Sequence, residues 1–139
     1  MVKSPKLYWR DSGLVHALLD LGKDSDLFVQ PWVGSSWEGW VVEQILGHLQ
    51  SFGESYQAFY LRTSDQREID LLLEYRGKLW AFEIKLSSVP DTETLKRLKD
   101  TAALVSADST VLISRTSKPV QGKEIASLNL AAALEMLLG

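Results

Sequence analysis

The stretch Arg67-Glu68-Ile69-Asp70-Leu71-Leu72-Leu73-Glu74-Tyr75-Arg76-Gly77-Lys78-Leu79-Trp80-Ala81-Phe82-Glu83-Ile84-Lys85 decides the fold. Two runs rich in aromatic and branched residues are parted by Arg76-Gly77, the signature of a β-hairpin with Gly77 supplying the positive φ that a type II or type I′ turn needs. With Tyr75 opposite Lys78, each further pair steps back one residue on one strand and forward one on the other. Glu74 then faces Leu79, Leu72 faces Ala81, Asp70 faces Glu83 and Glu68 faces Lys85. All lie on one face, because strand side chains alternate with period two. The other face carries Ile69, Leu71, Leu73, Trp80, Phe82 and Ile84 without a charge and reads as core.

Directly opposed carboxylates destabilise a sheet, so Asp70 and Glu83 require a shared proton, a protein cation or a bound divalent metal between them. Hard oxygen donors on a rigid hairpin suit Mg²⁺ or Mn²⁺. Lys85, two residues beyond Glu83 on the same face, is placed to neutralise the pair or act on a substrate. The plainer alternative pairs Lys85 with Glu68 and leaves Asp70 at a wetted strand end.

Outward from the hairpin, a strand is expected over Tyr56 to Thr63, preceding those over Arg67 to Tyr75 and Lys78 to Leu86. From Ser35 to about Ser51, Trp37, Val41, Val42, Ile45, Leu46 and Leu49 recur on one side of a helix. Glu38 precedes Val42, Ile45 and Leu49 by four, seven and eleven positions and so belongs to that apolar face. Either it points inward as a ligand, or Ser35-Ser36-Trp37-Glu38 forms a capping box in which Glu38 reaches back to the Ser35 N–H. A shorter helix is expected from Leu14 to Leu21, with Asp11 or Ser12 as N-cap and Gly22 as stop, followed by a loop from Ser25 to Gly34. Pro90 and Asp91 open an amphipathic helix to about Val105, Thr110 to Ser114 is a further strand, and Asn129 caps a last helix to Leu138. The predicted class is α/β: a mixed four-stranded sheet of three antiparallel strands, then a crossover helix and a further, parallel strand, flanked by helices.

Nothing in residues 1–139 invites a cut, so the chain reads as one domain; a chain of this length buries enough surface to stand without disulfides. The absence of cysteine excludes thiolate chemistry and Cys-based metal sites. No run is long and apolar enough for a membrane span, and Met1 to Gly22 carries charges throughout where a secretory leader would be apolar, so a cytoplasmic location is expected. A net charge of -3 is not that of a domain that clamps nucleic acid by charge alone. His16 and His48 are isolated and carry no assigned chemistry, and the five tryptophans read as packing.

Asp70, the twelve residues that follow it, and Glu83-Ile84-Lys85 resemble the PD-(D/E)XK signature of the restriction-endonuclease-like nuclease superfamily, with Glu38 matching the acid of its first core helix. More narrowly, Lys3-Ser4-Pro5-Lys6-Leu7-Tyr8, Asp11-Ser12-Gly13-Leu14, Trp37-Glu38-Gly39-Trp40-Val41-Val42-Glu43 and Tyr60-Leu61-Arg62-Thr63 are similar to the C-terminal domain carried by many prokaryotic AAA-type ATPases. The resemblance implies a restriction-endonuclease-like core. It implies Asp70 and Glu83 as metal ligands, Glu38 as a direct or water-mediated third, Mg²⁺ or Mn²⁺ as cofactor, and Lys85 as the group that orients water or steadies charge at the phosphate. The implied activity is hydrolysis of phosphodiester bonds in DNA or RNA, DNA being the favoured partner, with Arg62, Arg67, Lys96, Arg97 and Lys99 as candidate phosphate contacts, the last three alternatively the solvated face of their amphipathic helix. A non-catalytic accessory domain that uses the same face to bind nucleic acid or a protein is the alternative. An N-terminal ATPase domain in a longer parent protein, a homo-oligomer and no membrane partner complete the expectations. No P-loop pattern occurs, so the chain is not itself the ATPase.

Overall fold

The hairpin turn has positive φ at both central residues, Arg76 (51°) and Gly77 (71°), which makes it type I′ and matches the right-handed twist of the strands it joins. The computed structural model describes residues 2–4 and 33–139. The expected helix over Leu14 to Leu21 with its cap, most of the loop from Ser25, the family-like segments Pro5 to Tyr8 and Asp11 to Leu14, and His16 lie outside the described residues.

Strands β1 (Val2–Ser4), β2 (Tyr56–Arg62), β3 (Glu68–Tyr75), β4 (Lys78–Ile84), β5 (Ser109–Ile113), β6 (Val120–Gln121) and β7 (Ala126–Leu128) form one sheet in the order β1-β2-β3-β4-β5-β7-β6. Among the described residues three helices accompany it: α1 (Val33–Ser51), α2 (Thr92–Leu104) and α3 (Leu130–Leu138). The first four strands pair antiparallel, β4 and β5 pair parallel across the α2 crossover, β5 and β7 pair parallel, and β6 closes antiparallel on β7. The hairpin register is the expected one, with Tyr75 against Lys78, Leu72 against Ala81 and Leu71 against Phe82.

The sheet is therefore larger than the four strands expected. β1, β6 and β7 are two or three residues each, too short to show alternation, and β6 and β7 are parted by Gly122-Lys123-Glu124-Ile125, which reads as loop. Helix α1 begins at Val33, two residues earlier than expected. Ser35 thus lies inside the first turn, away from the cap position that a capping box with Glu38 requires.

Both faces of the sheet are covered. On one, Val41, Val42, Ile45 and Leu49 of α1 and Ala133 and Leu137 of α3 pack on Leu71, Leu73, Tyr75, Trp80, Phe82, Ile84, Val111 and Ile113. On the other, Leu98 and Ala102 of α2 pack on Leu61, Leu72, Ala81 and Leu112. Each such fully buried aliphatic or aromatic side chain contributes roughly 1.5–3 kcal/mol through removal from water. Ile69 corrects one expectation: it packs with Leu61 and Leu72 on the α2 side rather than with Leu71. The β2–β3 register shifts between Phe59 and Leu61, and a bulge there adds twist at this end of β3.

Helix α2 starts where Asp91 accepts from the N–H groups of Glu93 and Thr94, and α3 where Asn129 accepts from Ala132, both as the sequence predicts. Of the five tryptophans, Trp80 is buried and Trp37 and Trp40 pack at the edge of the α1 cluster with ring centroids 5.1 Å apart, as expected for packing residues. Trp9 and Trp32 lie outside the described residues.

Candidate functional site

The last registered pair between β3 and β4 is Leu71 and Phe82. The next step, Asp70 with Glu83, falls where the strands part: the Ile84 N–H donates to Asp70 Oδ2 at 2.8 Å, a side chain standing in for a ladder carbonyl. Beyond Phe82, β4 follows its parallel neighbour instead, with Glu83 beside Leu112, Ile84 beside Ile113, and the Lys85 N–H donating to the Ile113 carbonyl at 2.8 Å. The two acids thus stand in the wedge between diverging strands.

Glu83 is 6% exposed, and a buried carboxylate requires compensation. Two cations supply it on the same oxygen, Oε1: Lys85 Nζ at 3.4 Å and Arg97 Nη2 at 3.4 Å. Lys85 belongs to the same strand face; Arg97 comes from α2, between the buried positions Thr94 and Thr101 that bring its stem to the edge of the sheet-facing stripe. Lys85 therefore pairs with Glu83 rather than with Glu68. Glu68 sits with Arg62, 3.9 Å away, and accepts a hydrogen bond from Tyr60. Burial, and then the Glu68 bond and its charge, push the Tyr60 phenol up to about 12; Asp70 adds to the rise.

Among the other predicted residues, Glu38 lies half-buried on α1, one turn before Val41 and Val42. Among the described residues no group of three or more His, Asp or Glu side chains gathers closely enough to hold a metal ion. The wedge offers two carboxylates on adjacent strands, a donor set that suits Mg²⁺, which keeps several waters and often takes only one or two protein carboxylates. Both protein cations sit on Oε1 of Glu83, so an ion there meets Glu83 with its counter-charges already in place. Arg62 is held by Gln66 as well as Glu68, and Arg67 by Asp65 at 3.2 Å. Lys96 is exposed on α2, and Lys99 pairs with Glu124 of the β6–β7 connection. His48 Nδ1 bonds the Gln44 carbonyl within α1.

Two site residues carried little signal in sequence. Tyr60 stands opposite the extra residue that the register shift inserts in β3, between Ile69 and Leu72, and Arg97 is one of three basic residues on an amphipathic helix whose rotation only the packed structure fixes.

Fold and site define an α/β domain with a mixed sheet whose central strands diverge around an acidic pair countered by Lys and Arg. The chain belongs to the family described as Domain of unknown function (DUF4143), which matches residues 33–132 and so spans α1 through the first turn of α3. It is 41% identical over 88 residues to Uncharacterized protein Rv2008c of Mycobacterium tuberculosis and, equally, to Uncharacterized protein Mb2031c of Mycobacterium bovis. The match covers 63% of this chain and 19% of each relative, so the chain spans about a fifth of the length of the curated relatives it matches. No helix among the described residues is long and apolar enough to cross a membrane.

Proposed function

We propose that the chain is a restriction-endonuclease-like domain that hydrolyses phosphodiester bonds of DNA or RNA with Mg²⁺ or Mn²⁺. The observation that carries this reading is the wedge: Asp70 and Glu83 on diverging central strands, with the Lys85 ammonium 3.4 Å from Glu83. Asp70 and Glu83 are the residues that hold the ion, and Glu38 is the third acid that the sequence resemblance supplies. When bound, the ion supplies a water of lowered pKa and stabilises charge developing at the phosphate. Lys85 orients that water or steadies the same charge, and Arg62, Arg67 and Lys96 contact the backbone on either side. An acidic cluster is how a chain of net charge -3 meets a polyanion, because the ion inverts the local field. The length of the mycobacterial relatives leaves room for the N-terminal AAA-type ATPase domain that the resemblance implies. A cytoplasmic location and a homo-oligomer belong to the same reading.

One observation favours a second reading, a non-catalytic accessory domain of such an ATPase: Glu83 is already neutralised by two protein cations. The two part on one experiment. Mn²⁺ titration calorimetry and nicking of plasmid and single-stranded DNA are expected to show metal uptake and metal-dependent cleavage. Asp70→Ala and Lys85→Ala should each reduce cleavage by at least about 100-fold, the scale of losing one stabilising group at a reacting centre, with circular dichroism unchanged. A wild-type chain that neither binds Mn²⁺ nor cleaves leaves the accessory reading in place.

A further inference from the structure

Arg97 stands in an unusual position for a helix-surface arginine. Its guanidinium reaches across from α2 to a carboxylate that is 6% exposed, while its own side chain remains half exposed. Lys85 already occupies the same oxygen at the same distance. Both contacts, at 3.4 Å, are longer than the roughly 2.7–2.9 Å of a well-formed charge-assisted hydrogen bond, so neither cation is locked. Lys85, its side chain 44% exposed, is tied to the strand of Glu83, two residues away. Arg97 comes from another element, and its head is open to water. It also lies within range of a second acid: the Asp91 carboxyl is held low chiefly by hydrogen bonds from Thr94 and, at longer range, by the charge of Arg97.

We propose that Arg97 is an exchangeable counter-ion: it neutralises Glu83 in the metal-free domain, gives way when a divalent cation arrives, and turns its guanidinium to a phosphate of the bound DNA. This rests on the metal-binding reading above. A divalent ion beside Glu83 would face two positive groups, and Arg97, whose long stem is anchored on another element, is the one that turns away. The planar guanidinium fork, matched to phosphate oxygens, then has a partner that Lys85, a compact point charge, does not compete for. The exchange couples the two binding events: metal releases the arginine, and the released arginine favours the polyanion.

The coupling gives opposite signs for one substitution. Arg97→Ala removes the competitor, so Mn²⁺ binding measured by calorimetry should tighten roughly three- to fivefold, the size of a partly screened ion pair. The same variant should bind a labelled, cleavage-resistant phosphorothioate DNA oligonucleotide more weakly in Mn²⁺, with little change when Mn²⁺ is omitted. Arg97→Gln, which keeps most of the stem, should repeat both effects, and Arg97→Lys should stay near wild type for metal. Unchanged or weaker Mn²⁺ binding in a folded Arg97→Ala or Arg97→Gln chain overturns the exchange, as does an equal loss of DNA binding with and without metal. A wild-type chain that takes up no Mn²⁺ removes the metal-binding reading itself and the exchange with it, an outcome separate from the other two.

Discussion

Tyr60 and Glu68 lie on adjacent strands at the rim of the acidic wedge, and their contact gives this end of the sheet a pH signature. The phenol is raised from 10.0 to about 12, first by burial and then by the bond to Glu68. A group whose folded pKa lies above its unfolded value favours the folded state fully below the unfolded pKa, and that contribution is lost as pH rises toward the folded one. Stability from this contact should therefore hold below pH 10 and fall between pH 10 and about 12. Burial also raises Tyr75 above its ordinary value, so spectrophotometric titration should show late-ionising tyrosines, and Tyr60→Phe should reduce the late amplitude by one phenol while leaving that of Tyr75. A late amplitude unchanged by Tyr60→Phe would remove Tyr60 from it. At this scale the Lys85–Glu83 ion pair is legible, because the two residues lie two apart on one strand. The contact of Tyr60 with Glu68 is not, because it is made past a register shift in β3 that no local pattern marks. Arg97 escapes because Lys96, Arg97 and Lys99 look alike until the helix is docked.

The hairpin turn shows how local chemistry fixes an element. A type I′ turn asks for positive φ at two consecutive residues, and here one of them is an arginine rather than the usual Asn or Asp. Arg76 in that conformation costs on the order of 1 kcal/mol, offset in part by its ion pair with Glu54 at 2.5 Å and its position 5.0 Å over the Tyr75 ring. Gly77 has no such support, and a Cβ added there would meet nothing within 4 Å, so substitution acts through the backbone alone. Gly77→Ala should lower stability by about 1 kcal/mol, or roughly 3–5 °C in Tm, with the strand register unchanged. A loss several times larger would mean that the turn, rather than the flanking strands, sets the register. The same logic explains which elements were legible. The hairpin, α2 after Asp91 and α3 after Asn129 are each announced by a turn or cap residue beside a periodic run. β6 and β7 are held by pairing to β5 through neighbours distant in sequence, and no local pattern marks them.

At the scale of the molecule, the two sheet faces are unequal. Among the described residues, α2 alone lies over Leu61, Ile69, Leu72, Ala81 and Leu112, whereas α1 and α3 share the other face with the larger cluster. The family match ends at residue 132, yet Ala133 and Leu137, 1% and 3% exposed, lie past it and pack in that larger cluster. Helix α3 is therefore structural. It covers the parallel strands β5 and β7, which need cover on both faces, and so helps hold the strand that β4 follows when it leaves β3 at Asp70. Leu137→Ala should cost about 2–5 kcal/mol by urea unfolding, a large share of the roughly 5–15 kcal/mol a domain possesses. Deleting residues 133–139 should cost more and lower the Mn²⁺ affinity of the wedge, because the cover over β5 and β7 is gone. Phe52→Ser, at an apolar residue 68% exposed, should change stability by less than about 0.5 kcal/mol and leave the metal site alone. A deletion variant as stable as the whole chain would make α3 an appendage and place the folding boundary at the end of the family match.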